Sequence, residues 1–392
     1  MKLKGLTIGI PKEIMKGERR VSATPETTAK MIKEGAVVLV EKGAGEGSFF
    51  HDEEYTAKGC KIIEDVSELY SKSDVILKVK EPIFNSQKGL HEADMMKKGQ
   101  LLITFLHPAS PGNHDMVRKL ADNGLISLTL DGIPRISRAQ SMDALTSMST
   151  VAGYKSVIMA ADKLPIFMPM IGTAIGMIMP ASVLVVGTGV AGLQAIATAK
   201  RLGAVVYAVD IRPDACEQAR SLGAKVIETG IPEKEAIGTG GYAKHLTDKW
   251  LFKEREVLKE VVPKVDIIIL SALVPGRVAP VLIMEDMVKC MKKGSVIVDI
   301  AIDQGGNCEI TSPGEVIEKY GITIDGTKNI PGMLPTSSTW MFANNIYNFL
   351  TYVVSDGRIN INKNDEIISS TLVTYENKIV HAGALESINQ GG

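Results

Sequence analysis

The run from Ala181 to Asp210, ASVLVVGTGVAGLQAIATAKRLGAVVYAVD, constrains the fold more than any other segment of this 392-residue chain. It contains an apolar strand, a GxGxxG turn, a helical stretch and a second apolar strand. In that order Gly187 permits a tight turn, Gly189 lets the backbone approach a pyrophosphate, and Gly192 allows close packing of helix on strand. The pattern predicts the first βαβ unit of a dinucleotide-binding Rossmann domain.

Asp210 ends the second of these strands, close to the spacing of about 20 residues at which an acid binds the adenosine ribose hydroxyls. A 2′-phosphate would be repelled by that carboxylate, so the sequence favours NAD over NADP. Arg212, two positions later, works against this preference.

Similar strand and helix patterns occur on both sides of this unit. Apolar runs alternate with amphipathic stretches in the first third, including a predicted helix from about Thr24 to Glu34, and the second unit continues through VDIIILSALVP, GSVIVDIA and ITIDG. We therefore predict an α/β protein with two Rossmann-like domains built on parallel sheets. The NAD-binding domain, residues 146–335, is inserted in a discontinuous domain made of residues 1–145 plus 336–392. The helical run Trp340–Val353 and two short strands after it are expected to pack on the first domain.

Composition excludes several classes of function. A formal net charge of −1 with 23% charged residues gives no basic surface for nucleic acid. The four cysteines are scattered without a CxxC motif, which predicts neither a disulfide framework nor a metal site. The first residues lack the apolar core of a signal peptide, so we expect a cytoplasmic protein.

One uncharged segment, Pro165–Gly187, is about as long as a membrane-spanning helix. Pro165, Pro169 and Pro180 would break such a helix and leave backbone donors unpaired in lipid. We therefore predict no membrane span of its own, and instead a buried loop followed by the strand Ala181–Val186.

Several strings resemble the alanine dehydrogenase and pyridine-nucleotide transhydrogenase superfamily, and the resemblance runs essentially from end to end. They are IGIPKE, RRVSATPETT, EKGAGEGSF, ILKVKEP, GVAGLQAIATAKRLGA, LVPGRVAPVLI and GSVIVDIA. The superfamily has two branches. One is a soluble amino-acid dehydrogenase, and the other is the NAD(H)-binding alpha subunit of the proton-translocating, Re/Si-specific NAD(P) transhydrogenase.

The string PRISRAQSMDAL, residues 134–145, resembles the loop beside the nicotinamide in the transhydrogenase branch. The resemblance implies that Arg135 and Asp143 orient the carboxamide of NADH, and that Gln140 holds the ring and reaches the partner's cofactor. Thr146 stands where the family commonly has a serine. An alternative interpretation of the string is a polar interdomain linker.

GGYAK, residues 240–244, resembles the mobile loop of the same branch, with Tyr242 expected to close over NAD(H). A flexible surface loop with an exposed tyrosine is the alternative. Further NAD(H) contacts are expected at Val190, Arg212, Gly241 and Leu273.

Four other residues favour the dehydrogenase branch. Arg20, Lys80, His107 and Asp303 fall where alanine dehydrogenases bind the oxo acid and transfer protons, with His107 as the acid/base. Taken singly, each is more often a surface charge or a structural residue. The alternative function is therefore an NAD-dependent alanine (amino-acid) dehydrogenase.

The resemblance favours the transhydrogenase branch. It implies direct hydride transfer from NADH to NADP⁺ held on a partner subunit, coupled to proton translocation. It further implies a homodimer with NADP(H)-binding and membrane-spanning partner subunits, peripheral on the inner face of the cell membrane. A noncatalytic NAD-binding or regulatory protein is a third possibility.

Overall fold

The computed structural model describes residues 1–238, 243–274 and 278–390. The chain forms two compact units, of which unit 1 comprises Met1–Met148 and Gly332–Gly392, and unit 2 comprises Ser149–Pro331. Unit 2 is thus inserted in the sequence of unit 1. Each unit contains a sheet flanked by helices, and the predicted α/β class is confirmed.

Strands and helices of unit 1 are numbered in chain order with those of unit 2. The strands are β1 (Thr7–Ile10), β2 (Val37–Glu41), β3 (Lys61–Ile63), β4 (Val75–Leu77), β5 (Phe84–Asn85), β6 (Leu90–His91), β7 (Leu101–Thr104), β8 (Ile126–Thr129), β18 (Val354–Ser355), β19 (Arg358–Ile359), β20 (Leu372–Tyr375) and β21 (Lys378–Ile379). The helices are α1 (Pro25–Lys33), α2 (Asp52–Ala57), α3 (Val66–Lys72), α4 (His114–Asp122), α5 (Ala144–Lys163), α11 (Pro335–Val353), α12 (Glu366–Thr371) and α13 (Ala382–Gln390). Helix α5 continues into unit 2.

The main sheet of unit 1 has the order β21-β20-β8-β7-β4-β1-β2-β3. Strands β1 to β4, β7 and β8 pair in parallel, whereas β20 is antiparallel to both β8 and β21. The end of the chain therefore completes the sheet of unit 1, which is mixed and not purely parallel as predicted.

Local sequence explains where α1 begins. The Thr24 hydroxyl accepts a hydrogen bond from the backbone N–H of Thr27, the Thr27 hydroxyl accepts one from Thr24, and Pro25 stands in the first turn. These are the expected features of a helix start. The helix ends before Glu34, within a residue of the predicted bounds.

Unit 2 contains the glycine turn. Its strands are β9 (Ile171–Thr173), β10 (Gly176–Ile178), β11 (Ser182–Val186), β12 (Val205–Val209), β13 (Lys225–Val226), β14 (Ile267–Leu270), β15 (Val296–Asp299), β16 (Val316–Lys319) and β17 (Ile322–Asp325). Its helices, besides α5, are α6 (Val190–Arg201), α7 (Pro213–Ser221), α8 (Glu233–Ala236), α9 (Asp248–Val261) and α10 (Glu285–Lys289).

The sheet of unit 2 has the order β13-β12-β11-β14-β15-β17-β16 and is parallel except for β16. Alternate residues of β11 belong to two different clusters. Val183 and Val185 pack with residues of α5, α6 and α7, and Leu184 and Val186 pack with residues of α9 and α10. Both faces are covered, as in a doubly wound Rossmann domain.

The prediction for residues 165–180 was wrong in part. Strand β11 forms as expected, but β9 and β10 make an exposed antiparallel hairpin where a buried loop was predicted. Ile175 at its tip is 98% exposed. The run is apolar, yet unit 2 offers it no surface to pack on. No helix in the described ranges is long and apolar enough to cross a membrane.

A second difference concerns the segment 135–150, expected to be a polar crossing before a helix at Val151. A 3₁₀ helix forms over Ser137–Met142 and α5 begins at Ala144. The Asp143 side chain accepts a hydrogen bond from the backbone nitrogen of Thr146, which accounts for the earlier helix start.

Candidate functional site

The glycine turn joins β11 to α6. Gly187 has a φ of 84°, and a Cβ there would lie 2.7 Å from the backbone nitrogen of Ala272. A Cβ on Gly192 would lie 1.9 Å from the carbonyl oxygen of Gly187. Packing therefore requires both glycines.

Gly189 differs from its two neighbours. A Cβ at this position would meet nothing within 4 Å, so the space in front of α6 is open. Val190 begins that helix, whose first backbone N–H groups point into this space. An open space before a helix N-terminus fits a pyrophosphate, which agrees with the role expected of Gly189.

Asp210 follows β12 and is 8% exposed. One oxygen accepts hydrogen bonds from the backbone nitrogen of Arg212 at 2.8 Å and from its Nε at 3.1 Å. The other accepts from the backbone nitrogen of Thr188 at 2.7 Å, its hydroxyl at 3.1 Å, and Arg212 Nη2 at 3.0 Å. Two predicted binding residues, Asp210 and Arg212, thus form an ion pair with each other.

The loop after β14 is held by Asn307, which the sequence did not indicate. Asn307 is fully buried; its Oδ1 accepts from the backbone nitrogen of Ala272 at 2.9 Å, and its Nδ2 donates to the Ala272 carbonyl at 2.8 Å. Leu273, an expected NAD(H) contact, comes next and is 37% exposed. The contact joins residues 35 positions apart, so no local pattern could have revealed it.

In unit 1, Asp143 caps the start of α5. Its carboxylate accepts hydrogen bonds from the Thr146 backbone nitrogen at 2.8 Å and the Thr146 hydroxyl at 2.7 Å. The structure therefore brings these two predicted residues together. Negative charge at this helix end is favourable.

The preceding 3₁₀ helix is fixed to neighbouring elements on both sides of Gln140. Arg138 donates hydrogen bonds to Tyr352 at 2.8 Å and Asp365 at 2.9 Å. The Asn345 and Asn348 side-chain amides each donate to the Ser141 carbonyl at 3.0 Å. Gln140 and Arg135 are exposed on this held segment.

Of the alternative substrate residues, Arg20 is the most buried, with 3% exposure. Its Nε and Nη2 donate to the two carboxylate oxygens of Glu18 at 2.8 and 2.6 Å, and its Nη1 lies 2.9 Å from Met148 Sδ. Burial alone would raise the pKa of Glu18, but the hydrogen bonds and charge of Arg20 lower it to about 2. The guanidinium is already engaged in an internal ion pair.

His107 lies 2.8 Å, at Nδ1, from an Asp131 carboxylate oxygen, and its ring stacks on Phe105. Its φ of 45° is unusual for a non-glycine residue, the more so before Pro108. Burial lowers the pKa of His107, but the Asp131 charge and hydrogen bond outweigh it, so that the pKa is raised.

Lys80 is half-buried, and its positive charge acts on both Glu18 and His107. Three of the four alternative residues therefore share one region of unit 1. Asp303, the fourth, lies in unit 2, where it is exposed and accepts from the Asn329 backbone nitrogen at 3.4 Å. Gly241 and Tyr242 lie outside the described residues. Within the described ranges no three His, Cys, Asp or Glu side chains are grouped to hold a metal ion.

Comparison with known families places these residues in context. Residues 9–152 match the N-terminal domain of alanine dehydrogenase/PNT, and residues 156–382 match its C-terminal domain. The chain belongs to the alanine dehydrogenase/PNT family. The glycine turn and Asp210 thus lie in the family's C-terminal domain, and the 134–146 segment and Lys80–His107 region lie in its N-terminal domain.

Transhydrogenase members of this family are more similar to the chain than the alanine dehydrogenases compared with it. The chain is 44% identical over 380 residues to an NAD(P) transhydrogenase subunit alpha polypeptide of Rhodospirillum rubrum, covering 96% of this chain and 98% of that one. The crystal structure of a transhydrogenase from Sinorhizobium meliloti superposes with a TM-score of 0.81 at 37% identity, covering 96% and 99%. An alanine dehydrogenase of Staphylococcus saprophyticus is 31% identical, covering 98% and 97%.

Proposed function

We propose that this chain is the NAD(H)-binding alpha subunit of an NAD(P) transhydrogenase. In the overall reaction a hydride passes from NADH bound here to NADP⁺ on a partner subunit, so that NADH is oxidised and NADP⁺ reduced. The observation that carries the proposal is the end-to-end identity of 44% with a transhydrogenase alpha subunit, against 31% with an alanine dehydrogenase.

The geometry of the nucleotide turn supports NAD(H) as the ligand. The open space at Gly189 accommodates the pyrophosphate at the N-terminus of α6, between Gly187 and Gly192. Asp210 and Leu273 lie on the loops that follow β12 and β14, at the carboxyl edge of the sheet where such ligands bind.

We assign the nicotinamide contacts to residues of the 134–146 segment. Arg135 and Asp143 hold the carboxamide, with Thr146 beside them, and Gln140 orients the ring. Transfer between two nicotinamides requires no general acid or base, only two rings held in contact. The anchoring of this segment through Arg138 and Ser141 supports a positioning role.

The amino-acid dehydrogenase alternative has weaker support. Its carboxylate-binding arginine would be Arg20, whose guanidinium is buried and paired with Glu18. An oxo acid would have to displace that carboxylate. The His107–Asp131 pair is suited to proton transfer, but direct hydride transfer does not use it.

The proposed assembly contains NADP(H)-binding and membrane-spanning partner subunits, which couple the reaction to proton translocation at the inner face of the cell membrane. It also contains two copies of this chain. The β9–β10 hairpin supports a homodimer because it is uncharged and carries exposed Ile175, Met177 and Met179. A patch of this kind is typical of a protein interface, and an uncharged one suits a second copy of the same apolar hairpin.

The test is NADP⁺ reduction by NADH with the purified chain and the NADP(H)-binding subunit of the same organism. Gln140→Asn shortens the side chain and is expected to slow transfer about 10- to 100-fold, because small misplacements of the ring are costly. NADH affinity should change little. The control is Gln218→Asn, at an exposed glutamine of α7. Transfer at the wild-type rate by the Gln140 variant would contradict the assigned role.

A further inference from the structure

A second carboxyl group, that of Glu254, lies close to Asp210. Glu254 belongs to α9 and is 5% exposed. Leu251, one turn before it, packs with the cluster that contains Ile211, and Leu258, one turn after it, packs with the cluster that contains Val209. Residues spaced by three and four positions share one helix face.

Val209 and Ile211 are the sequence neighbours of Asp210, so the face of α9 that carries Glu254 covers the end of β12. The electrostatics agree with this placement. Burial raises the pKa of Glu254 to about 8, and the negative charge of Asp210 adds to the rise, while Arg255 opposes it.

The Glu254 carboxyl has no hydrogen-bond partner within residues 1–238, 243–274 and 278–390. Buried polar groups are nearly always hydrogen-bonded, so an unpartnered one needs an explanation. A carboxyl beside a ligand site finds its partner in the ligand.

Asp210 by itself does not have room for the ribose. A carboxylate offers about four acceptor sites, and Thr188 and Arg212 already supply five donors to it. A ribose hydroxyl could bind Asp210 only by displacing one of them. Glu254 has its acceptor sites available.

We propose that the Glu254 carboxyl binds the 2′-hydroxyl of the adenosine ribose of NAD(H), and so contributes to selection of NAD(H) over NADP(H). The inference rests on the proposed function, since it requires NAD(H) to bind at the glycine turn of unit 2. A hydroxyl both donates and accepts, so it pairs with a carboxyl in either protonation state. A 2′-phosphate removes that hydroxyl and adds bulk and negative charge beside Asp210.

The experiment measures dissociation constants of the full chain for NADH and for its analogue lacking the adenosine 2′-hydroxyl. Glu254→Met removes the carboxyl at similar volume, and Glu254→Gln retains an acceptor. Glu256→Met, at an exposed position of the same helix, is the matched control. Thermal unfolding of each variant checks the fold.

Glu254→Met is expected to weaken NADH binding about tenfold, the size of one hydrogen bond to a carboxyl group. Glu254→Gln should weaken it less, and Glu256→Met should leave it unchanged. Binding of the 2′-deoxy analogue should change less than twofold in every variant.

Equal weakening for both ligands, or no weakening for NADH, would overturn the inference while leaving the proposed function intact. Failure of the wild-type chain to bind NADH would overturn both.

Discussion

At the scale of single residues, the His107–Asp131 pair makes a prediction about pH. In Asp131→Asn the attraction that raises the pKa of His107 is lost while burial remains, so the pKa should fall below the ordinary value of 6.5. Titration of the His107 ring protons by NMR measures it. Asp115→Asn, at an exposed aspartate of α4, is the control. An unchanged His107 pKa in Asp131→Asn would show that the two side chains do not interact in this way.

The same pair gives the sign of a stability effect. Burial opposes ionisation of Asp131, but His107 lowers the Asp131 pKa from 3.8 to about 2, so that stabilisation is present above 3.8 and lost as the pH falls towards 2. The raised His107 pKa contributes stability below 6.5 that is lost as the pH rises through the folded value. Asp131→Asn should therefore cost most stability between those limits.

At the scale of secondary-structure elements, the glycine turn separates binding from folding. In Gly189→Ala the new methyl enters open space, so thermal unfolding should be unchanged while NADH affinity falls at least tenfold, because the methyl occupies the approach to the pyrophosphate. In Gly192→Ala the methyl collides with the Gly187 carbonyl, and the unfolding free energy should fall by about 1–3 kcal/mol or more. Wild-type NADH binding by Gly189→Ala would contradict the assignment of this turn.

Local patterns predicted the elements whose cause is local. The glycine spacing predicted the β11–α6 turn, and Thr24 with Pro25 predicted the start of α1. Contacts distant in sequence were missed. Asn307 acts through Ala272, and Glu254 acquires its role only when α9 packs over the end of β12. The β9–β10 hairpin was predicted to be buried because its apolar composition does not reveal whether the same chain covers it.

At the scale of the whole molecule, the hairpin predicts the oligomeric state. Light scattering of the wild-type chain should give twice the 42.1 kDa mass of one chain. Ile175→Asp places a charge at the exposed tip and should give the single-chain mass, because burying an unpaired charge in an apolar interface is unfavourable. Phe84→Asp, at a 60% exposed apolar residue of the β5–β6 hairpin, should remain a dimer. A dimeric Ile175 variant would contradict this interface.

The acceptor of the hydride distinguishes a transhydrogenase subunit from an amino-acid dehydrogenase, and labelled NADH identifies that acceptor directly. NADH carrying deuterium at the transferred C4 position is incubated with the chain, its NADP(H)-binding partner subunit, NADP⁺, pyruvate and ammonia. We expect deuterium in NADPH, none in alanine, and no transfer without the partner subunit. Deuterium in alanine, formed by the chain alone, would contradict the proposed function.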